Sequence, residues 1–224
     1  MASFTSWMLP TKRRWRRIIA GYQDLYNDSG NWANYKIGVG ELIGTNRSIA
    51  AQTLIDWRGH MVTKREMMDL SITEAMQIYK VKYWDAVNGD SIKSQAIADL
   101  LADMKSSAGG NGVKQLQKVL KDLGENIAVD GQFGSQSVDA LNRQIGKVGE
   151  AKIFNGFRDN MIDYYKSINS PFETQLIGSL NEDYPPMSEN WLARNSTTIV
   201  LGAAVVLLVM YAIYQYRKVK LKRA

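Results

Sequence analysis

Two short stretches of this chain place chemically capable side chains beside tight turns. In the first, residues 79–90, an aromatic run that contains Trp84 ends in an acidic turn that contains Asp85. In the second, residues 129–134, the Asp130 carboxylate can accept backbone N–H bonds across a glycine-containing loop. Taken singly, each pattern also describes an ordinary helix end, so its chemistry depends on what lies around it.

The residue types that are missing exclude several kinds of site. The chain has no cysteine and a single histidine, His60. A disulfide framework and a thiolate zinc site are therefore excluded, and a histidine-based metal site or a Ser-His-Asp triad is improbable. We expect no metal and no organic cofactor, and we interpret His60 as a surface or helix-end residue.

Helical periodicity dominates the chain and strand alternation is scarce, which predicts a mostly α fold. Helix starts are marked by capping residues or by glycine-rich turns: Ser71 with Glu74, Ser91, residues 108–112 and residues 130–134. A long helix is predicted at about residues 148–168, and prolines mark a linker after it.

In their order along the chain, the two stretches resemble the phage and bacterial muramidases of glycoside hydrolase family 108. Those proteins have a tyrosine-tryptophan-aspartate turn, a helix, a small-residue break and an aspartate-glycine-x-x-glycine loop, and the resemblance covers about residues 4–168. It implies a lysozyme-like helical head followed by a peptidoglycan-binding helical region. It also implies peptidoglycan as a partner, with five candidate substrate-binding residues: Tyr22, Tyr35, Trp84, Asp85 and Asp130.

The position of the family's general acid differs in this chain. The family carries glutamate-glycine-glycine-tyrosine at the end of its first helix, where this chain reads Ile19-Ala20-Gly21-Tyr22. A gapless register puts Ile19 at the acid position, and a register with a short deletion after Asp28 puts Tyr22 there. Isoleucine cannot donate a proton, and tyrosine, with an ordinary pKa of about 10, is a poor substitute for a carboxylic acid tuned to about 6.

Three nearby carboxylates, Asp24, Asp28 and Glu41, remain as candidate catalytic groups. Asp24 would point away from the acid position on a continued helix. Asp28 matches a family aspartate in the gapless register and can serve as a second carboxylate. Glu41 lies in a glycine-flanked loop that can fold over a cleft. The sequence leaves open whether one of them sustains hydrolysis or whether the fold is retained for binding.

Residues 197–216 contain no charged side chain, and the basic tail at residues 217–224 follows directly. A helix of this length spans about 30 Å, the thickness of the hydrocarbon core of a bilayer. The segment therefore predicts a single C-terminal transmembrane helix. The full predicted organisation is a lysozyme-like region at 1–108, a peptidoglycan-binding region at 109–170, a linker at 171–196, the transmembrane helix and the tail.

The formal net charge is +6, and five of the cations lie in the tail. A second basic cluster occupies positions 12, 13, 14, 16 and 17. Such clusters bind anionic lipid headgroups or nucleic acid. No signal peptide is visible, whereas the positive-inside rule places the tail in the cytoplasm and the head across the membrane, so the orientation stays open.

The first hypothesis is a single-pass, membrane-anchored lysozyme-like protein that cuts or binds peptidoglycan, encoded by a phage and located in the host cell membrane or a virion membrane. The alternative is a structural membrane protein of a lipid-containing virion. In that alternative the basic segments bridge the membrane to capsid proteins or nucleic acid.

Overall fold

Helices account for most of the regular structure in the computed structural model of this chain, which describes residues 1–9 and 13–188. The α-helices of this described part are α1 (Phe4–Trp7), α2 (Arg13–Ile19), α3 (Ala51–Arg58), α4 (Lys64–Met68), α5 (Ile72–Tyr79), α6 (Gln95–Asp122), α7 (Ser135–Val148), α8 (Glu150–Ser167) and α9 (Glu173–Asp183). Two short strands, β1 (Thr45–Asn46) and β2 (Ile49–Ala50), pair antiparallel. The prediction of a mostly α fold is confirmed.

Within the described residues, every helix is too short or too polar to cross a bilayer. The predicted transmembrane segment at 197–216 lies outside the described residues, as does the basic tail.

The cap at Ser71 is confirmed, because its hydroxyl accepts the Glu74 N–H at 3.1 Å and α5 starts there. Helix α5 ends at Tyr79, and the chain continues as a π turn, Lys80–Trp84. The next helix is capped by Ser94 rather than Ser91. Residues Gly89–Ser91 form a 3₁₀ turn, and the extended backbone after them delays the helix by one turn.

The glycine-rich stretch at 108–112 interrupts the helix as predicted, because α6 consists of two helical segments that meet at a kink at Gly109. Gly109 has φ 58° and ψ −135°, a backbone conformation that is strongly disfavoured for any residue with a Cβ atom. Beside this kink lies the loop of Gly131, where an added Cβ would come within 2.8 Å of the carbonyl oxygen of Gly110. Gly131 and Gly110 therefore allow the loop before α7 to pack directly on the backbone of α6.

An aromatic core joins the start of the chain to α5 and the π turn. Trp7 and Trp84 are stacked with ring centroids 5.6 Å apart, and Tyr79 meets Trp7 edge-on at 6.1 Å. All three side chains are buried. The N–H of Ala2 donates to the carbonyl oxygen of Ile92 at 2.8 Å, so the first residues of the chain are part of the folded head.

A charged network lies next to this aromatic core. The buried Asp103 carboxylate accepts hydrogen bonds from the Arg14 guanidinium, from the Trp7 indole at 3.1 Å and from the Tyr184 hydroxyl at 2.5 Å. Burial is the largest single effect and lowers the pKa of Arg14, but the combined attraction of Asp103, Tyr79 and Tyr184 outweighs it, so the pKa of Arg14 is raised. Arg14 is therefore a core residue and is not available for the lipid or nucleic-acid contact predicted for the basic cluster.

The start of the predicted linker contains a helix that packs on the head. Helix α9 lies against α8, where the Arg158 guanidinium donates to the Tyr184 carbonyl oxygen at 2.9 Å and to the Asn181 side chain. Residues 1–185 thus form one compact unit. The division of this unit at residue 108 stays a prediction.

Candidate functional site

The acid position of the family lies where α2 ends. Ile19 is the last residue of α2 and its side chain is 52 % exposed, so it offers surface area but no polar group. After α2 the chain turns, and Gln23 pairs with Thr45 through two backbone hydrogen bonds of 2.8 and 2.9 Å. This pairing holds Tyr22 and Asp24 beside the strand segment that enters β1.

Tyr22, Asp24 and Lys64 form a polar cluster at this turn, which we call the acid-position cluster. The Tyr22 hydroxyl lies 2.5 Å from Asp24 Oδ1 and 2.9 Å from the Ile43 carbonyl oxygen. Lys64 Nζ lies 3.0 Å from Asp24 Oδ1 and 5.5 Å from the centre of the Tyr22 ring. The cluster therefore presents a hydroxyl, a carboxylate and an ammonium group side by side at the protein surface.

These contacts oppose a role for either residue as a proton donor. The hydrogen bond from Tyr22, and then that from Lys64, lower the pKa of Asp24, so this group stays a carboxylate at neutral pH. Partial burial, together with the neighbouring Asp24, raises the pKa of Tyr22, so its hydroxyl keeps its proton. A general acid in glycoside hydrolysis needs the opposite environment, one that raises the pKa of a carboxyl group.

The other two candidate residues, Asp28 and Glu41, make local contacts in the loop between Gln23 and Thr45. Asp28 caps a 3₁₀ turn, Ser29–Asn31, because its side chain accepts the N–H of Gly30 at 2.9 Å. Glu41 is exposed, and its carbonyl oxygen accepts the Ala33 N–H at 2.9 Å. The structure therefore brings Asp24 to the acid-position cluster and gives Asp28 a structural contact of its own.

Tyr35, a predicted substrate-binding residue, lies near the tip of the same loop. Its side chain is 65 % exposed and its φ is 55°, in the left-handed region. The ring is accessible to a ligand, but it belongs to an exposed apolar surface rather than to the acid-position cluster.

Trp84 does not have the exposure that a substrate-binding residue needs. Its ring is fully buried, its indole N–H donates to Asp90 at 2.8 Å, and Gly89 packs so closely that any Cβ there would lie 2.4 Å from the ring. The neighbouring Asp85 is more exposed and pairs with Lys80 at 2.6 Å. The aromatic stretch that carries the family resemblance is thus mainly core, because a tryptophan of this size contributes most to stability when its ring is buried.

Asp130 holds its own loop together. Gln117 donates to its carboxylate at 2.9 Å and the N–H of Gln132 donates at 2.8 Å, and these two hydrogen bonds lower the pKa of Asp130. Gln117 also accepts the Gly131 N–H at 2.8 Å. The loop is therefore fixed by a buried glutamine on α6, and α7 starts after Gly134 without a side-chain cap from Ser135.

Two residues of these sites, Lys64 and Gln117, are not identifiable from local motifs. Lys64 is forty positions from its partner Asp24, and no spacing pattern connects them. Gln117 is a polar residue next to the apolar positions of α6, and only the structure shows that it is 1 % exposed. A buried glutamine needs polar partners, which points to a loop packed against it.

His60 is exposed, and its Nδ1 lies 2.8 Å from the Met61 carbonyl oxygen. Within residues 1–9 and 13–188, no group of three or more histidine and acidic side chains is arranged to hold a metal ion.

Comparison with known proteins assigns the fold and the two parts of the chain. The family model described as Glycosyl hydrolase 108 matches residues 20–109, and the model described as Predicted Peptidoglycan domain matches residues 111–176. No curated protein matches the sequence. One similar solved structure is titled "Structure of Brucella abortus SagA"; it is 27 % identical, covers 74 % of this chain and 84 % of its own, and superposes with a TM-score of 0.59.

The fold and these matches define a helical, lysozyme-like protein with a peptidoglycan domain on its C-terminal side. As the resemblance predicted, the chain matches the glycosyl hydrolase 108 family and, C-terminal to that match, a peptidoglycan domain. The matched range starts at residue 20, directly after Ile19.

Proposed function

We propose that this protein binds bacterial peptidoglycan through a lysozyme-like head that lacks the family's proton donor. The family matches support the cell-wall substrate class. The turn after α2 carries the proposal, because the apolar Ile19 and the protonated Tyr22 of the acid-position cluster stand where the resemblance implies a carboxylic acid. The cluster retains hydroxyl, carboxylate and ammonium groups that can hydrogen-bond the hydroxyl and amide groups of a glycan strand.

The absence of a suitable acid at this turn argues against efficient glycoside hydrolysis. The general acid must be protonated when it meets the glycosidic oxygen, which requires a pKa near the working pH. Asp24, the carboxylate closest to Tyr22, has its pKa shifted in the wrong direction by its two partners. Binding makes no such demand, since a permanently charged Asp24 and Lys64 are good hydrogen-bonding groups.

The finer parts of the proposal come from the sequence. The uncharged segment 197–216 anchors the protein in the host cell membrane or a virion membrane, and the basic tail meets anionic lipid. The family is common among phages, so a phage origin and a place in entry or lysis complete the proposal. In this arrangement the C-terminal segment anchors the protein in the membrane and the head binds peptidoglycan.

The test combines binding and cleavage in one tube. Full-length protein in detergent is incubated with purified peptidoglycan, the pelleted fraction is measured, and released muropeptides are followed by mass spectrometry. We expect pelleting without release. Lys64→Ala should lower the pelleted fraction several-fold, whereas Arg65→Ala should not, because Arg65 lies beside Lys64 in sequence but pairs with Asp69.

Two other outcomes would overturn the proposal. Muropeptide release would show an active hydrolase, and Asp24→Asn, Asp28→Asn and Glu41→Gln would then locate its acid. No retention at low salt would favour the structural protein of a lipid-containing virion, whose partners are capsid proteins or nucleic acid. Binding of nucleic acid through the basic tail would then fall steeply with salt.

A further inference from the structure

Five large apolar side chains are exposed on the loop between Gln23 and Thr45, and we call them the apolar loop patch. Their exposed fractions are 46 % for Leu25, 53 % for Tyr26, 65 % for Tyr35, 45 % for Ile37 and 39 % for Val39. Among the described residues, the other exposed large apolar side chains are spread along the rest of the chain. Single exposed apolar residues are normal, whereas a group on one loop marks an interaction surface.

The two halves of the patch lie together on a fixed backbone. The Tyr26 ring packs edge-on against Trp32 with centroids 5.0 Å apart, and the Trp32 indole donates to the Tyr26 carbonyl oxygen at 2.9 Å. A Cβ on Gly38 would lie 3.8 Å from the Tyr26 hydroxyl, so the 35–39 segment reaches the tip of Tyr26. Trp32 also pairs with Leu42 across the loop.

Two polar side chains close to these rings, Asn31 and Gln52, are used inside the loop. The Asn31 side chain donates to the Leu25 carbonyl oxygen at 3.1 Å, and Gln52 donates to the Trp32 and Ala33 carbonyl oxygens at 2.8 and 3.0 Å. The surface of the loop presents three aliphatic side chains, two tyrosines and Lys36, and it also presents the exposed polar residues Asp24, Asn27, Asp28, Asn34 and Glu41. Tyrosine and lysine with aliphatic neighbours is the composition that suits a membrane–water interface, where apolar groups are buried and polar ends stay wet.

The connection between the described chain and the proposed membrane span is short. The described chain ends at Ser188, and the proposed membrane span starts at residue 197, so eight residues, 189–196, connect them. Fully extended, eight residues reach at most about 30 Å. This step rests on the proposed membrane anchor. With so short a connection, a face of the head lies within reach of the lipid headgroups.

We propose that the apolar loop patch inserts into the interface of the bilayer that anchors the same chain. The patch then gives the head a second membrane contact, which orients it and leaves the acid-position cluster at the base of the loop for the glycan. Tyr35, predicted from the sequence as a sugar contact, is in this assignment a lipid contact.

The test uses the absence of cysteine in the natural chain. Full-length Ile37→Cys is labelled with a nitroxide and reconstituted in phosphatidylcholine–phosphatidylglycerol vesicles. The matched control is Ile72→Cys at the start of α5, whose side chain is 40 % exposed compared with 45 % at position 37. For each label we measure the ratio of its accessibility to oxygen over its accessibility to a water-soluble nickel complex. We expect this ratio to be several-fold higher at position 37 than at position 72. An equal ratio at the two positions would overturn the proposal.

Two further measurements separate this inference from the proposed function. Washing the vesicles at alkaline pH tests the anchor, and if the protein is extracted, the labelled protein is mixed with fresh vesicles. Lipid protection at 37 would then support the patch without the anchor, and no protection would overturn both. If soluble peptidoglycan fragments shield position 37 in the absence of lipid, the loop is a glycan surface and the lipid assignment is wrong.

Discussion

Single residues decide the chemistry of the acid-position cluster. The Asp24 side chain is 51 % exposed, yet its pKa is lowered because Tyr22 and Lys64 both donate hydrogen bonds to its charged form. The same contacts leave Tyr22 as a donor with its proton in place. The cluster is therefore suited to binding at neutral pH and unsuited to proton transfer.

The order of these two contributions can be tested. Replacing Tyr22 with phenylalanine should raise the pKa of Asp24, because the hydrogen bond from the hydroxyl is the largest cause of its lowering. Lys64→Met should raise it less. The measurement is the titration of the Asp24 side-chain carboxyl carbon by NMR. If Lys64→Met has the larger effect, the ammonium rather than the hydroxyl controls this carboxylate.

For some of the candidate residues the local sequence was enough to predict their contacts in the structure, and for others it was not. Asp28 and Asp130 are followed two residues later by backbone N–H groups that they cap, and local sequence contains that information. Trp84 has the same aromatic character whether it is exposed or buried, so the sequence could not place its ring in the core. Its position depends on Trp7, which is far away along the chain.

At the scale of the elements, the kink in α6 depends on one glycine. Gly109→Ala should destabilise the protein by about 1–3 kcal/mol, because alanine strongly disfavours the backbone angles found there. There is open space around the position, so the loss is one of backbone conformation rather than of packing. Chemical denaturation of the full-length protein measures it.

Gly146 in α7 is the matched control for this substitution. It lies inside a regular helix, with no atom near an added Cβ, so Gly146→Ala should stabilise the protein by about 0.5–1 kcal/mol. If both substitutions stabilise, the α6 backbone does not need the conformation of Gly109.

The loop before α7 should make stability depend on pH. The folded-state pKa of Asp130 lies below its ordinary value because Gln117 and the Gln132 N–H bind the carboxylate. Its stabilising contribution is therefore present above the unfolded pKa of about 3.9 and is lost as the pH falls through the folded pKa. The stability difference between the natural protein and Asp130→Asn should shrink as the pH falls from 7 to 2 in urea titrations. A difference that stays constant over this range would show that the charge of Asp130 does not stabilise the loop.

At the scale of the whole molecule, the Asp103 network joins parts of the chain that are far apart in sequence. Its donors come from α1, from α2 and from the residue that ends α9. Arg14 and Tyr184 lie outside the two ranges matched by the family models, before residue 20 and after residue 176. The network therefore ties segments that this chain carries beyond its two family domains to a buried carboxylate inside them.

Removing the carboxylate should destabilise the whole head. Asp103→Asn leaves the buried Arg14 without its counter-charge and should lower the free energy of unfolding by about 3–5 kcal/mol. Tyr184→Phe removes one hydrogen bond to a charged group and should lower it by about 1.5–3 kcal/mol. Denaturant unfolding followed by tryptophan fluorescence measures both. Equal losses would mean that the Arg14 contact adds nothing beyond the tyrosine bond.

Sequence alone determined the features that local physics controls. Periodicity predicted the mostly α fold, hydroxyl side chains predicted a helix start such as that of α5, and two short motifs in order predicted the two family models that the chain matches. The missing carboxylic acid at positions 19 and 22 is also a property of the sequence. Each of these depends on residues within a few positions of one another.

Only the tertiary structure decided which of the candidate residues meet, because their partners are distant along the chain. It joined Asp24 to Lys64, buried Trp84 against Trp7 and moved Arg14 from a presumed surface cluster into the core beside Asp103. Burial and charge pairing set the protonation state of a side chain, and both are properties of neighbours in space. The sequence could therefore name the residues of the site, whereas the fold determined what chemistry they are able to perform.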